Sequence, residues 1–185
     1  MSDSDTPRVL VADDDADLAD TYSIWLEQEG MDVRTAYRGD EALSRLEPSV
    51  DVVLLDRRMP AIPGDEVLQE IRGRDAGYQV SFLTAIEPDP HVVELPFDDY
   101  LVKPVSKGDV IDTVEELCLR DGFDDELDEF FRLSLKLSIL KSCEIDRCDE
   151  TLAELQNRVE QKRSDLVTRL DALDDDHSVY SVIED

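Results

Sequence analysis

Lysine is scarce in this chain of 185 residues: there are 5 lysines and 14 arginines, against 47 Asp and Glu, and the formal net charge is −28. So acidic a surface is expected to repel nucleic acids and anionic lipids. Cysteine is also rare, and three residues favour a reducing cytoplasm over a disulfide scaffold. No apolar run approaches the ~20 residues that span a bilayer. The acidic N-terminal residues lack the apolar region of a secretory signal. These absences predict a cytoplasmic protein with no membrane segment.

The kind of acid and base carries further information. Aspartate outnumbers glutamate by 30 to 17, and arginine outnumbers lysine. An Asp-rich, Lys-poor surface favours a concentrated-salt cytoplasm, where the Debye length falls to a few ångströms and self-repulsion is screened. The alternative is a protein from a cytoplasm of ordinary salt concentration, whose acidic surface binds basic partners.

Short apolar runs alternate with amphipathic stretches through residues 7–120. The runs predict strands at 8–12, 32–36, 50–55, 79–83 and 100–102. The stretches predict helices at 16–29, 39–47, 65–73 and 106–120. The alternation of these five strands with helices indicates an α/β fold with a doubly wound parallel sheet. In such sheets ligands bind at the carboxyl ends of the strands.

The pattern changes after residue 120, where two helices are predicted at about 123–143 and 146–173. The second helix carries an apolar residue every seven positions: Ile145, Leu152, Val159, Leu166 and Leu173. This spacing predicts a two-helix hairpin or a coiled-coil arm. The seam is either the core of the hairpin or a dimer contact. Residues 1–6 and 175–185 are expected to be a disordered N-terminus and a frayed tail.

Polar residues fall at the predicted strand ends. Asp13 and Asp14 follow the first strand, Asp56 ends the third, Thr84 follows the fourth and Lys103 the fifth. Carboxylates that converge at one edge repel one another unless a cation lies among them, and an oxygen-rich site suits Mg²⁺. A lysine and a hydroxyl beside the metal could hold phosphoryl oxygens, and a carboxylate can itself be the nucleophile. The pattern indicates a magnesium-dependent phosphoryl-acceptor site.

The runs VLVADDD, VVLLDRRMPAIPG, FLTA and DDYLVKP resemble, in order and spacing, the receiver domain of two-component response regulators. The resemblance covers about residues 7–120. It implies a flavodoxin-like sheet of order 2-1-3-4-5 and phosphorylation of Asp56 by a sensor histidine kinase. It also implies no enzymatic activity beyond the domain's own phosphorylation and dephosphorylation.

The same resemblance assigns roles to the other residues. Mg²⁺ would be held by the side chains of Asp13, Asp14 and Asp56 and by the backbone carbonyl of Arg58. Thr84 and Lys103 would contact the phosphoryl group. Tyr100 occupies the aromatic switch position that turns inward together with the threonine.

Two features depart from the usual receiver pattern. Eighteen residues separate Thr84 from Lys103, about three fewer than in the family, and three prolines (Pro88, Pro90 and Pro96) fall among them. The helix that joins strands 4 and 5 of the sheet in the receiver family, which is helix 4 of that family, is therefore expected to be short or distorted. Bulky residues, Arg58 and Ile86, lie two positions after Asp56 and Thr84, and they predict slow hydrolysis of the phosphorylated form.

The short helix 4, the FDDYLVKPV run and the acidic helical C-terminus together resemble the HalX-type response regulators of halophilic archaea. Residues 121–174 would then form a helical output or interaction domain. Its action is expected to be protein–protein interaction or homodimerisation, through the helix 4–strand 5–helix 5 face or through the C-terminal helices. The alternative is a DNA-binding transcriptional regulator. Against it stand the net charge of −10 over residues 120–185 and the lack of a helix-turn-helix with a basic recognition helix.

Overall fold

The computed structural model describes residues 6–74, 77–88, 90–120, 125–142 and 149–173. The strands are β1 (Arg8–Ala12), β2 (Asp32–Ala36), β3 (Val52–Leu55), β4 (Gln79–Thr84) and β5 (Asp99–Val102). The helices are α1 (Ala16–Gln28), α2 (Gly39–Arg45), α3 (Gly64–Gly73), α4 (Lys107–Arg120), α5 (Asp125–Ser142) and α6 (Asp149–Leu173). A 3-10 helix, Pro90–Glu94, lies between β4 and β5.

The five strands form one parallel sheet of order β2-β1-β3-β4-β5. The predicted fold class and strand order are therefore confirmed. β3 begins at Val52, two residues later than predicted, because the Val50 N–H bonds the Glu47 carbonyl in a turn. α2 ends at Arg45 rather than at residue 47 because Pro48 disfavours helical geometry at the residue before it.

The described residues divide into two compact units, one lying within Met1–Glu87 and Glu94–Gly122 and the other within Pro88–Val93 and Phe123–Asp185. Helices α1 and α4 bury one face of the sheet in the first unit. The cluster on this face includes Val9, Val11, Val52, Leu54, Tyr22, Leu26, Val114 and Leu117. Successive strand residues point to opposite faces, and the intervening Leu10, Val53 and Leu55 are equally buried, so both faces are covered.

The second unit is an antiparallel pair of helices. Leu133 and Leu140 of α5 pack with Leu155 of α6, and partly buried neighbours surround them. Those neighbours are Leu137, Leu152, Val159 and Val93. The predicted hairpin is confirmed, and seam residues Leu152 and Val159 lie in its core; Ile145, the side chain of Leu173 and the two termini lie outside the described residues.

The segment between β4 and β5 departs from an ordinary α-helix. Its helical part is the 3-10 helix, in agreement with the expected short or distorted helix 4. Val93 of this segment packs in the α5–α6 cluster. The sequence boundary near residue 120 does not anticipate that Pro88–Val93 groups with the helices. Within the described parts of the chain, no helix has both the length and the apolar character needed to cross a membrane.

Candidate functional site

The sheet brings the predicted polar residues to its carboxyl edge. Three of them extend the strand ladder by one hydrogen bond beyond the strand ends. The Asp13 N–H donates to the Ala36 carbonyl at 3.0 Å, and the Asp56 N–H donates to the Ala12 carbonyl at 2.8 Å. The Lys103 N–H donates to the Thr84 carbonyl at 2.8 Å. These bonds fix the backbone from which each side chain projects.

Lys103 connects the two buried carboxylates. Its Nζ lies 2.5 Å from Asp13 Oδ2 and 3.1 Å from Asp56 Oδ1. Asp13 and Asp56 are 2% and 5% exposed, so these charge-assisted contacts are screened little by solvent. Two carboxylates facing one ammonium leave an excess of negative charge at this edge.

Burial and neighbouring charges set the protonation of this group. Burial raises the pKa of Asp13, and the hydrogen bond from Lys103 offsets this only in part. Burial opposes the charge on Lys103, but the carboxylates of Asp13 and Asp56 outweigh it and raise its pKa. Lys103 is therefore a cation at neutral pH.

The loop after β3 holds the Asp56 carboxylate from its other side. The Arg58 N–H donates to Asp56 Oδ2 at 2.5 Å. Ala61 in the same loop has a φ of 68°, a backbone conformation that residues other than glycine rarely adopt. The backbone of this loop therefore makes a specific contact with the carboxylate.

Thr84 and Tyr100 are joined through Ile86. The Ile86 N–H donates to Thr84 Oγ1 at 3.3 Å, and the Tyr100 hydroxyl donates to the Ile86 carbonyl at 2.8 Å. Thr84 and Tyr100 are both buried, so the ring of Tyr100 faces inward.

The oxygen donors assigned to Mg²⁺ are of the right chemical kind. They comprise three carboxylates, Asp13, Asp14 and Asp56, and the carbonyl oxygen of Arg58, and hard oxygen ligands are those that Mg²⁺ prefers. The excess negative charge left by Lys103 also favours a cation. Asp14 is exposed, and among the described residues no three Asp, Glu, His or Cys side chains are gathered as a metal cluster. The donor set fits the ion because all its members are hard oxygen ligands in a negatively charged site. Asp14 is its solvent-facing member.

Sequence reasoning missed Arg57, which follows Asp56 and contacts both Asp65 and Tyr100. Asp65 lies eight residues away across an irregular loop, and Tyr100 lies on another strand. Neither helical nor strand periodicity links these positions, so no pattern in the sequence signals the contact.

A five-stranded doubly wound sheet with two acids, a threonine and a lysine at its carboxyl edge defines a receiver-type signalling domain. The chain belongs to the response regulator receiver domain family, which matches residues 9–115, and the HalX domain matches residues 119–183. Both resemblances stated from the sequence are confirmed.

Similar proteins span different shares of the chain. A Haloferax volcanii protein provisionally named a transcriptional regulator is 52% identical over 159 residues, which are 85% of this chain and 27% of that protein. The transcriptional regulatory protein CpxR homolog of Haemophilus influenzae is 40% identical over 62% of this chain and 52% of its own length. The chain thus spans about half or less of these relatives.

A solved structure is similar to the receiver part. The response regulator protein TrrA from Thermotoga maritima, in complex with Mg²⁺-BeF, is 31% identical, with a TM-score of 0.53. The match covers 60% of this chain and 99% of that one.

Proposed function

We propose that the chain acts as a response regulator whose Asp56 accepts a phosphoryl group from the phosphohistidine of a sensor histidine kinase. The observation that carries the proposal is the placement of Lys103 between the buried carboxylates of Asp13 and Asp56 at the carboxyl edge of a receiver-family sheet. The Mg²⁺-BeF complex of TrrA supports a magnesium-dependent reaction of the same class.

The transfer is a single displacement at phosphorus. A carboxylate oxygen of Asp56 attacks the phosphorus atom, and the bond to the imidazole nitrogen breaks. The electron pair stays on that nitrogen, and the ring loses its phosphoryl group. Lys103 supplies an ammonium beside Asp56 for one phosphoryl oxygen. Mg²⁺, held by Asp13, Asp14, Asp56 and the Arg58 carbonyl, would supply neutralisation of the phosphoryl charge.

The signal then passes through the polar contacts of Ile86. A phosphoryl oxygen on Asp56 would attract the Thr84 hydroxyl, which accepts the Ile86 N–H. Because Tyr100 donates to the carbonyl of the same Ile86, movement at Thr84 changes the packing of Tyr100. Phosphorylation in this scheme shifts the population between two conformations.

The output of the switch belongs to the helical unit. We infer regulated protein–protein interaction or homodimerisation. The contact is made either through the receiver family's helix 4–strand 5–helix 5 face, whose strand 5 and helix 5 are β5 and α4 in this chain, or through α5 and α6. The acidic net charge of residues 120–185 supports protein contacts over DNA contacts. We place the protein in the cytoplasm, without enzymatic activity beyond its own phosphorylation and dephosphorylation.

The second candidate is DNA-binding transcriptional regulation through the C-terminal helices. The names of the Haloferax volcanii and Haemophilus influenzae relatives favour it. Titration of labelled DNA at several salt concentrations separates the two outputs. Sequence-selective binding that persists at high salt would favour the DNA-binding function. A doubling of the molecular mass in solution on phosphorylation, without DNA binding, would favour dimerisation.

Intact-mass measurement tests the phosphoacceptor. The full chain is incubated with a small phosphodonor and Mg²⁺, and we expect the addition of one phosphoryl group. Asp56→Asn should abolish the addition. Asp51→Asn, at the opposite end of β3, should retain it, because Asp51 accepts a hydrogen bond from the Arg8 N–H away from the carboxyl edge. Modification that persists in Asp56→Asn would refute the assignment.

A further inference from the structure

The side chain of Arg57 is clamped by an acid on α3. Its Nε and Nη2 each donate to one carboxylate oxygen of Asp65, both at 2.7 Å. The pair raises the pKa of Arg57, whose side chain is 12% exposed, so the guanidinium is a permanent cation. A two-point contact fixes the plane of the guanidinium, and this fixes the direction of its third nitrogen.

That third nitrogen is directed at Tyr100. Arg57 Nη1 makes a long hydrogen bond of 3.4 Å to the Tyr100 hydroxyl oxygen. The hydroxyl gives its only proton to the Ile86 carbonyl, so its oxygen is left as an acceptor, and a guanidinium can only donate. The two bonds are therefore compatible in polarity and hold the hydroxyl from both sides.

Aromatic packing places the same guanidinium beside the ring cluster. The Cζ of Arg57 lies 5.6 Å from the ring centroid of Phe82, within cation–π range. Tyr100 packs edge-on against both Phe82 and Phe97, with centroids 5.6 Å apart in each case. Arg57 thus contacts the ring that supports Tyr100 as well as the hydroxyl of Tyr100.

We propose that Arg57, clamped by Asp65, is a positioning residue that holds Tyr100 in its inward orientation. Arg57 and Asp56 are consecutive, so the clamp joins the backbone of the acceptor residue to the aromatic switch. Lysine cannot replace it, because a single ammonium does not offer a bidentate pair and a third donor in one plane. The functional consequence rests on the proposed phosphorylation, whereas the orientation itself does not.

The orientation of Tyr100 is measured by NMR on the full chain with ring-labelled tyrosine and no phosphodonor. Tyr100→Phe assigns the signal, which the rings of Phe82 and Phe97 shift while Tyr100 is inward. We expect Arg57→Lys and Asp65→Asn each to move the signal towards that of an unpacked tyrosine. A purely structural ion pair would leave it in place.

A second ion pair of the same type provides the control. Arg38 donates through Nε and Nη2 to the two oxygens of Asp40, in the first turn of α2. Asp40→Asn removes a bidentate arginine contact from the start of a helix, as Asp65→Asn does, but we expect no change in the Tyr100 signal. An unchanged signal in both Arg57→Lys and Asp65→Asn would overturn the proposal.

The functional consequence is measured with beryllium fluoride and Mg²⁺, which stand in for the phosphoryl group. We expect Asp65→Asn to raise the half-saturating beryllium fluoride concentration about three- to tenfold, the factor expected from loss of one hydrogen bond. An unchanged midpoint beside a moved Tyr100 signal would overturn the coupling to the site. The phosphorylation proposal fails separately, if Asp56→Asn does not abolish modification.

Discussion

Gly64 lies against the backbone of Asp56 so closely that an added Cβ would come within 2.2 Å of the Asp56 carbonyl oxygen. The Gly64 N–H also donates to the Arg57 carbonyl at 2.9 Å, so the start of α3 is fixed to the acceptor loop. We expect Gly64→Ala to lower the free energy of unfolding by about 1–3 kcal/mol, because backbone must move to admit the methyl group. Urea denaturation measures this loss.

The control lies at the other end of the same helix. A Cβ at Gly73 would meet nothing within 4 Å. We expect Gly73→Ala to raise stability by about 0.5–1 kcal/mol, the ordinary gain of alanine over glycine in a helix. Equal effects of the two substitutions would contradict the importance of the Gly64–Asp56 approach.

Arg72 and Asp98 form an ion pair in which the carboxylate is buried and the guanidinium is partly exposed. Asp98 is fully buried, and its Oδ2 also accepts the Val80 N–H at 2.6 Å. We expect Asp98→Ala to cost about 3–5 kcal/mol of stability, because it leaves a partly buried guanidinium and a buried N–H without this acceptor. Glu47→Ala removes the solvent-exposed partner of Arg34 and should cost far less stability, because solvent screens exposed ion pairs. Chemical denaturation of both variants tests the contrast, and similar losses would contradict it.

Asp99 is expected to destabilise the folded state at neutral pH. Burial raises its pKa, against the lowering effect of hydrogen bonds from the Tyr100 N–H and from Thr113. The folded state therefore retains a proton that the unfolded state has lost, and stability falls as pH rises from 3.8 through the raised pKa. Asp99→Asn should match the parent protein in acid and exceed its stability at pH 7.

Asp109 is expected to stabilise the folded state at neutral pH, the opposite of the effect expected for Asp99. Its carboxylate accepts the Ser106 N–H at 2.7 Å in a capping arrangement at the start of α4, which lowers the pKa of Asp109. This stabilisation of the folded state is present above pH 3.8, and it is lost as the pH falls through the lowered pKa of Asp109. Asp109→Asn should therefore be less stable than the parent at pH 7. Denaturation curves between pH 3 and pH 8 test both variants, and a change in stability at pH 7 of the same sign for the two would contradict the linkage argument.

Slow loss of the phosphoryl group is expected from the bulk of Arg58 and Ile86. Arg58 is exposed and Ile86 is half-buried, each two residues beyond a site residue. Large side chains at these positions should obstruct the in-line approach of water to the phosphorus atom. The decay of phosphorylated full chain is followed by intact mass after removal of the donor, with Arg58→Ala and Ile86→Ala expected to shorten its lifetime. A half-life of seconds in the parent protein would contradict this expectation.

The net charge of −28 predicts stabilisation by salt. Screening shortens the Debye length to about 3 Å at 1 M salt, so repulsion among surface carboxylates is largely removed by that concentration. Thermal unfolding in potassium chloride should show a steep rise in Tm below about 1 M and a shallow one above it. A Tm that does not rise with salt would show that self-repulsion contributes little to the folding equilibrium.

The sequence predicted the order of elements and the residues at the carboxyl edge because both depend on local signals. Apolar runs define β1 and β3, and a polar residue after a buried strand must lie at the edge of the sheet. Contacts between distant segments gave no such signal. The clamp of Arg57 by Asp65 depends on the course of an irregular loop, and the packing of Val93 with α5 and α6 depends on tertiary structure alone.

Because Pro88–Val93 belongs to the helical unit, the two units are interleaved in sequence. A chain shortened at residue 120 would keep Val93 but lose the leucine cluster against which it packs, and the helices alone would lack this partly buried side chain. Chimaeras that exchange the C-terminal region with another receiver should therefore carry residues 88–93 along with it. The same requirement would act on natural recombination, so the HalX region and residues 88–93 are expected to be inherited together.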